Sequence, residues 1–216
     1  MLLRATALLT IAATAGALPA QATNLIVNPG NEDDLVAGEI PGWVEVVGTG
    51  WTQRSLDPLA FEGEHYFFAG AGSAATLRQV IDVSSFAGSI DGGLATVSFS
   101  GRVRSWPQVP ADTSTITISF LDAASTVLGS HTLGPYSETT QWQLISADWA
   151  APTTMRAVQL DLISTRFAGN NNDGYFDALS LEVTAVPEPS GAALLAAGVA
   201  ALSLRRQVRR QGPSRC

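Results

Sequence analysis

The chain has 216 residues, 46% of them hydrophobic and only 14% charged, a size for one domain with appendages and a composition unlike that of a helical cytosolic enzyme. All 12 basic residues are Arg and they are unevenly placed: between positions 24 and 185, 18 of the 19 acids meet six Arg, leaving that region at −12. Such a body repels phosphate backbones, which argues against nucleic acid as a partner and is compatible with cation binding.

Residues 1–22 read as a secretory signal. Arg4 supplies the positive start, Ala5 to Leu18 is apolar apart from Thr and Gly, and Ala20 and Ala22 are the small residues before a cleavage point after Ala22. An N-terminal core helix would need a polar face, and this stretch has none.

From 23 to 185 the apolar pattern has period two. Val97, Phe99, Gly101 and Val103 alternate with Thr96, Ser98, Ser100 and Arg102; Ile116, Ile118 and Phe120 alternate with Thr115, Thr117 and Ser119; Val158, Leu160 and Leu162 alternate with Gln159 and Asp161. Each run predicts a strand with one buried and one wet face. Turn signals separate the runs at Gly70-Ala71-Gly72, Asp91-Gly92-Gly93, Pro107 to Pro110, Gly134-Pro135 and Gly169 to Gly174. The region is therefore expected to be all-β, an antiparallel β-sandwich of roughly eight to ten short strands. Its two ends carry further detail. Asn24-Leu25-Ile26-Val27-Asn28-Pro29-Gly30-Asn31-Glu32 followed by Pro41-Gly42-Trp43 resembles the opening of galactose-binding-like jelly rolls, which include many carbohydrate-binding modules. Asn172-Asp173-Gly174-Tyr175-Phe176-Asp177-Ala178-Leu179-Ser180-Leu181 resembles their closing strand. The chain departs from the family at Asn31, where an aromatic is usual, which weakens the expected packing of the first strand.

Three chemistries are open to this body. Asp177 is in phase with Leu179, Leu181 and Val183, and a carboxylate on a buried face is costly unless it is paired or bound to a metal. The resemblance implies that Glu32 and Asp177 together hold a structural Ca²⁺, which takes hard oxygen ligands; a β-bulge turning Asp177 outward, or a turn-capping role, is the alternative. For sugar binding, Trp106 in its Pro-rich loop and Trp51 beside Gly48-Thr49-Gly50 are the candidates for stacking, against the commoner use of Trp as packing. Trp43 and Trp142 fall within the packing motifs of the resembled fold. For catalysis, His65 and His131 sit singly in strand-like segments, the acidic pairs Asp33-Asp34 and Glu62 with Glu64 fall in loops, and no G-x-S-x-G, H-E-x-x-H, P-loop or G-x-G-x-x-G motif occurs. The body is expected to be non-enzymatic.

Residues 186–216 form a tail of a different kind. Pro187-Glu188-Pro189 ends any strand, Ser190 to Leu204 runs without a charge, and Arg205-Arg206-Gln207-Val208-Arg209-Arg210 follows. As a helix the uncharged stretch 189–204, 16 residues, would span roughly 24 Å, short against a hydrocarbon core of about 30 Å, and the Arg cluster would stay cytoplasmic with the acidic body outside. Cys216 is the sole cysteine, so an intrachain disulfide and a cysteine metal site are excluded, and it stands last rather than fourth from last as prenylation needs. The order Pro187-Glu188-Pro189, apolar helix, Arg205-Arg206 resembles the PEP-CTERM sorting signal of Gram-negative bacteria that make extracellular polysaccharide. That resemblance implies a membrane exosortase as partner, transient anchoring in the inner membrane, and release to the cell surface or extracellular matrix. The functions in play are thus a glycan-binding surface protein, a purely structural or adhesive matrix protein and, further off, an exported hydrolase.

Overall fold

The computed structural model describes residues 23–185; the expected signal, the Pro187–Pro189 motif and the 190–204 helix lie outside the described residues. Among the described residues, no helix is long and apolar enough to cross a membrane. Ten strands form two antiparallel sheets. They are β1 (Val44–Val47), β2 (Thr52–Arg54), β3 (Tyr66–Phe68), β4 (Ala74–Asp82), β5 (Ala95–Ser105), β6 (Thr113–Leu121), β7 (Val127–Tyr136), β8 (Gln143–Ala150), β9 (Ala157–Thr165) and β10 (Gly174–Ala185). The first sheet has the order β1-β4-β9-β6-β7 and the second β2-β3-β10-β5-β8, so consecutive strands repeatedly cross between layers, as in a jelly roll. A 3₁₀ turn at Ser84–Phe86 and a short helix α1 (Ala87–Asp91) fill the β4–β5 crossover.

Period two becomes burial directly. β5 alternates buried and half-buried residues along all its 11 positions, with Val97, Phe99 and Val103 inside. Leu77, Leu160, Leu162, Ile116 and Ile118 meet them from the first sheet, and each is at most 1% exposed. Because side chains alternate strictly, the register fixes what lies outside: Arg78 pairs with Asp161 and Thr117 with Asp161 and Thr132. On that outer face Arg78 donates two hydrogen bonds to the Asp161 carboxylate, at 2.6 and 2.8 Å, and hydroxyl pairs link Thr117 to Thr132 and Ser119 to Ser130. The β-branched and hydroxyl residues suit a pleated, half-wet sheet.

The opening segment is not a strand. Leu25 N–H donates to Leu181 and Asn24 bonds both Leu179 and Leu181, so the segment is laced to β10 by single contacts. Asn31 has φ +60° and is fully buried, and its amide donates to the carbonyls of Thr52 and Tyr66. A short polar side chain tolerates that left-handed backbone, where a bulky one is strained. The residue that departs from the resembled pattern therefore joins the opening loop to β2 and β3 by hydrogen bonds, where an aromatic would pack.

Candidate functional site

At one end of the sandwich the crossovers 69–73, 106–112 and 166–173 lie side by side. Asn172 N–H donates to Gly70, and Arg166 donates to the carbonyls of Ala71 and Asn170, both at 2.7 Å. Gln108 donates to Ala168, tying the β5–β6 loop to the β9–β10 loop. Asp112 organises this end. It is fully buried, and its carboxylate accepts the amides of Phe167 at 2.7 Å, Ala168 at 3.2 Å and Asp173 at 2.8 Å. Ser164 and Asn172 close the base of the loop through mutual hydrogen bonds, with all groups buried. Upon this frame two aromatic side chains reach solvent, Trp106 at 37% and Phe167 at 57% exposure.

Part of the outer face of the second sheet, away from the exposed strand β8, is covered. Tyr66, Tyr175, Phe68 and Arg54 form a cluster there: Tyr66 packs edge-on against Tyr175 at 5.1 Å and Trp142 at 5.5 Å, and the Arg54 guanidinium lies 4.8 Å from the Phe68 ring centre. Tyr175 O–H donates to Asp173, which also pairs with Arg54. Burial pushes both tyrosine phenols well above the usual range. Two loops roof this cluster, 55–65 and 137–142, and Trp142 Nε1 joins them by donating to Leu59. Trp142 is thus half-buried in a satellite cluster rather than in the main core.

Under the first of these loops lies the carboxylate pair singled out from sequence. The pairing of β10 with β5 slips between Asp177 and Ser180, and Ala178 takes φ +47°. This bulge breaks the phase assumed from sequence: Leu179 and Leu181 turn into the core, whereas Asp177 pairs with Arg102 on the outer face. Asp177 is nonetheless fully buried, because the 55–65 loop covers it. Its carboxylate accepts the amides of Phe61 at 2.7 Å, Glu62 at 3.3 Å and Ala178 at 2.7 Å. Arg102, the nearest cation in register, is stacked over Phe61 at 4.0 Å and forms no ion pair with Asp177. Desolvation pushes the Asp177 carboxyl up to about 7. Glu32, at the same loop, accepts the amides of Glu64 and His65, and His65 Nδ1 lies 3.4 Å from it. Oxygens of Glu32 and Asp177 stand 3.7 and 3.6 Å from the point a Cβ on Gly30 would occupy, so both carboxylates border that glycine. The structure thus brings the two residues to one glycine, with their oxygens accepting backbone amides and His65 beside Glu32; hard oxygens of this kind are what a divalent ion would take. Among the described residues, no group of three or more His, Cys, Asp or Glu forms a metal-holding cluster.

The remaining sequence candidates are scattered. Trp51 is 2% exposed and packs 6.1 Å from Phe176 in the core, so its ring face is not available to a sugar. Trp43 is buried, with Nε1 donating to Val27. His65 precedes β3 rather than lying in a strand, and His131, in β7, stacks on Trp149 at 4.9 Å. Asp112 and Phe167 escaped the sequence reading. Asp112 sits in a Pro-rich loop where no local pattern marks a clamp, and Phe167 follows a strand as one isolated aromatic.

No protein-family model and no curated protein matches the chain. Solved structures do. A family 16 carbohydrate-binding module aligns over 73% of this chain and 99% of its own, at 21% identity and a TM-score of 0.51. The enzymatically active domain of tailspike protein 4 from bacteriophage CBA120 aligns at 13% identity and a TM-score of 0.50, over 76% of this chain but only 21% of its own length. The chain thus has the jelly-roll β-sandwich fold, shared with a carbohydrate-binding module.

Proposed function

We propose that this is an exported, non-enzymatic surface or matrix protein whose sandwich binds an extracellular polysaccharide at the rim carrying Trp106 and Phe167. The observation that carries the reading is the pair of solvent-exposed aromatic rings on adjacent loops held by the buried Asp112 clamp. Sugar rings present flat C–H faces to aromatic side chains, and a rim on hydrogen-bonded loops lowers the ordering cost of binding. The polar groups beside the rings, Gln108, Asn170 and Asn171, suit hydroxyls, while the −12 charge of the region disfavours polyanionic chains. The fold shared with a module named for carbohydrate binding supports the same reading. Glu32 and Asp177 hold a structural Ca²⁺ that pins the 55–65 loop to β10. The tail, by its resemblance to exosortase substrates, delivers the body beyond the inner membrane and is removed near Pro187–Pro189.

A panel of polysaccharides tested by affinity electrophoresis checks the binding. Trp106→Ala and Phe167→Ala should each weaken retention about tenfold, the effect of losing one well-packed aromatic contact. Retention by neutral glycans that is indifferent to both substitutions would overturn the rim assignment. If nothing in the panel is retained, the structural or adhesive role stands in its place.

A further inference from the structure

The two sides of the sandwich are finished differently. On one side the sheets end in β1, four residues with a bulge, and β2, three residues. On the other they end in β7, ten residues, and β8, eight residues. β7 pairs with β6 along one edge, and among the described residues no strand pairs with its other edge. Short or bulged edges offer little backbone to a stranger, whereas a long edge presents a row of N–H and C=O groups ready to bond. The usual protections are weak in β7. It holds no acid, Lys or Arg; its proline is Pro135, next to the strand's end; and its register with β6 is unbroken from Gly129 to Leu133.

We infer that the free edge of β7 pairs with β7 of a second copy of this chain, antiparallel and about a two-fold axis, joining the two first sheets into one. A two-fold presents a strand to itself, so the strand must not repel its own copy. The described region carries −12, and most approaches of two copies bring acids together; this strip, without charge, does not. The faces also match. An axis through His131 sets Ser130 opposite Thr132 and Gly129 opposite Leu133. The outer hydroxyl row, already formed by Thr117 with Thr132 and Ser119 with Ser130, then continues across the seam, and on the inner face the His131 imidazole, stacked on Trp149, meets its own copy between Gly129 and Leu133. The inference is independent of the glycan rim, which lies at the end of the sandwich.

Sedimentation velocity of the full chain in detergent tests it. A dimer is expected, with Thr132→Lys weakening it at least tenfold and Val46→Lys, on the blunted edge, leaving it unchanged. A monomer up to about 100 µM, or a dimer indifferent to Thr132→Lys, would overturn the pairing, the second result pointing to the tail or another surface. Crosslinking keeps the test sharp should the lysine disturb folding. In a Cys216→Ser background, mixed Ser130→Cys and Thr132→Cys chains should form an interchain disulfide under mild oxidation, and failure to form it rejects the register.

Discussion

Asp112 spends its whole carboxylate on three backbone amides of one loop, so its removal should be felt at that loop. Asp112→Ala leaves those donors unpaired in a buried setting and should cost on the order of 3 kcal/mol, measured by urea unfolding, with glycan retention falling alongside. Asp177 behaves differently because desolvation outweighs the three amides its carboxylate accepts. Its folded pKa, about 7, lies above the ordinary carboxylate value, so the folded protein takes up this proton first. The stability linked to it is fully present below the ordinary carboxylate range and is lost as pH rises through about 7. In EDTA the melting temperature should therefore rise as pH falls from 8 to 5, and Asp177→Asn should flatten that slope. Both carboxylates are legible in sequence as residues, but only Asp177 is legible as a site, because it lies in a motif; the partners of Asp112 are 55 to 61 positions away, beyond any local pattern.

The strands were the readable elements. Alternation in β5, β6 and β9 predicts their inner and outer residues because one buried face forces period two. What alternation cannot foresee is a change of phase, and β10 makes one at its bulge. Gly101 belongs to that same feature. Its Cβ would sit 2.8 Å from Leu179 Cδ2, so the strand facing the bulge has lost a side chain where Leu179 swings inward. Gly101→Ala should destabilise by about 1–3 kcal/mol through overpacking, and pairing it with Leu179→Ala should recover part of the loss in a double-mutant cycle. The opening segment, 24–31, departs from its pattern for a related reason: its apolar residues look like a strand, yet its backbone bonds to β10 singly and bends at the left-handed Asn28 and Asn31.

At the scale of the whole molecule, the proposed calcium site and the proposed export each have a direct test. Adding millimolar Ca²⁺ to metal-free protein should raise the melting temperature by several degrees, and Glu32→Gln or Asp177→Asn should abolish the rise; an unchanged transition would remove the metal from this account. Mass spectrometry of the protein recovered from its host should find the chain beginning after Ala22 and ending near Pro187–Pro189, whereas an intact tail at the surface would speak for a permanent anchor. The direction of β10 fixes the pole from which the chain leaves the sandwich. The strand starts at Gly174, beside the aromatic rim, and finishes at Ala185, where it pairs with Ala95 at the opposite pole. Any tether continuing from Ala185 therefore leaves from the pole farthest from Trp106 and Phe167. Under the proposed anchoring through the tail, a polymer would meet the two rings on the pole turned away from the bilayer.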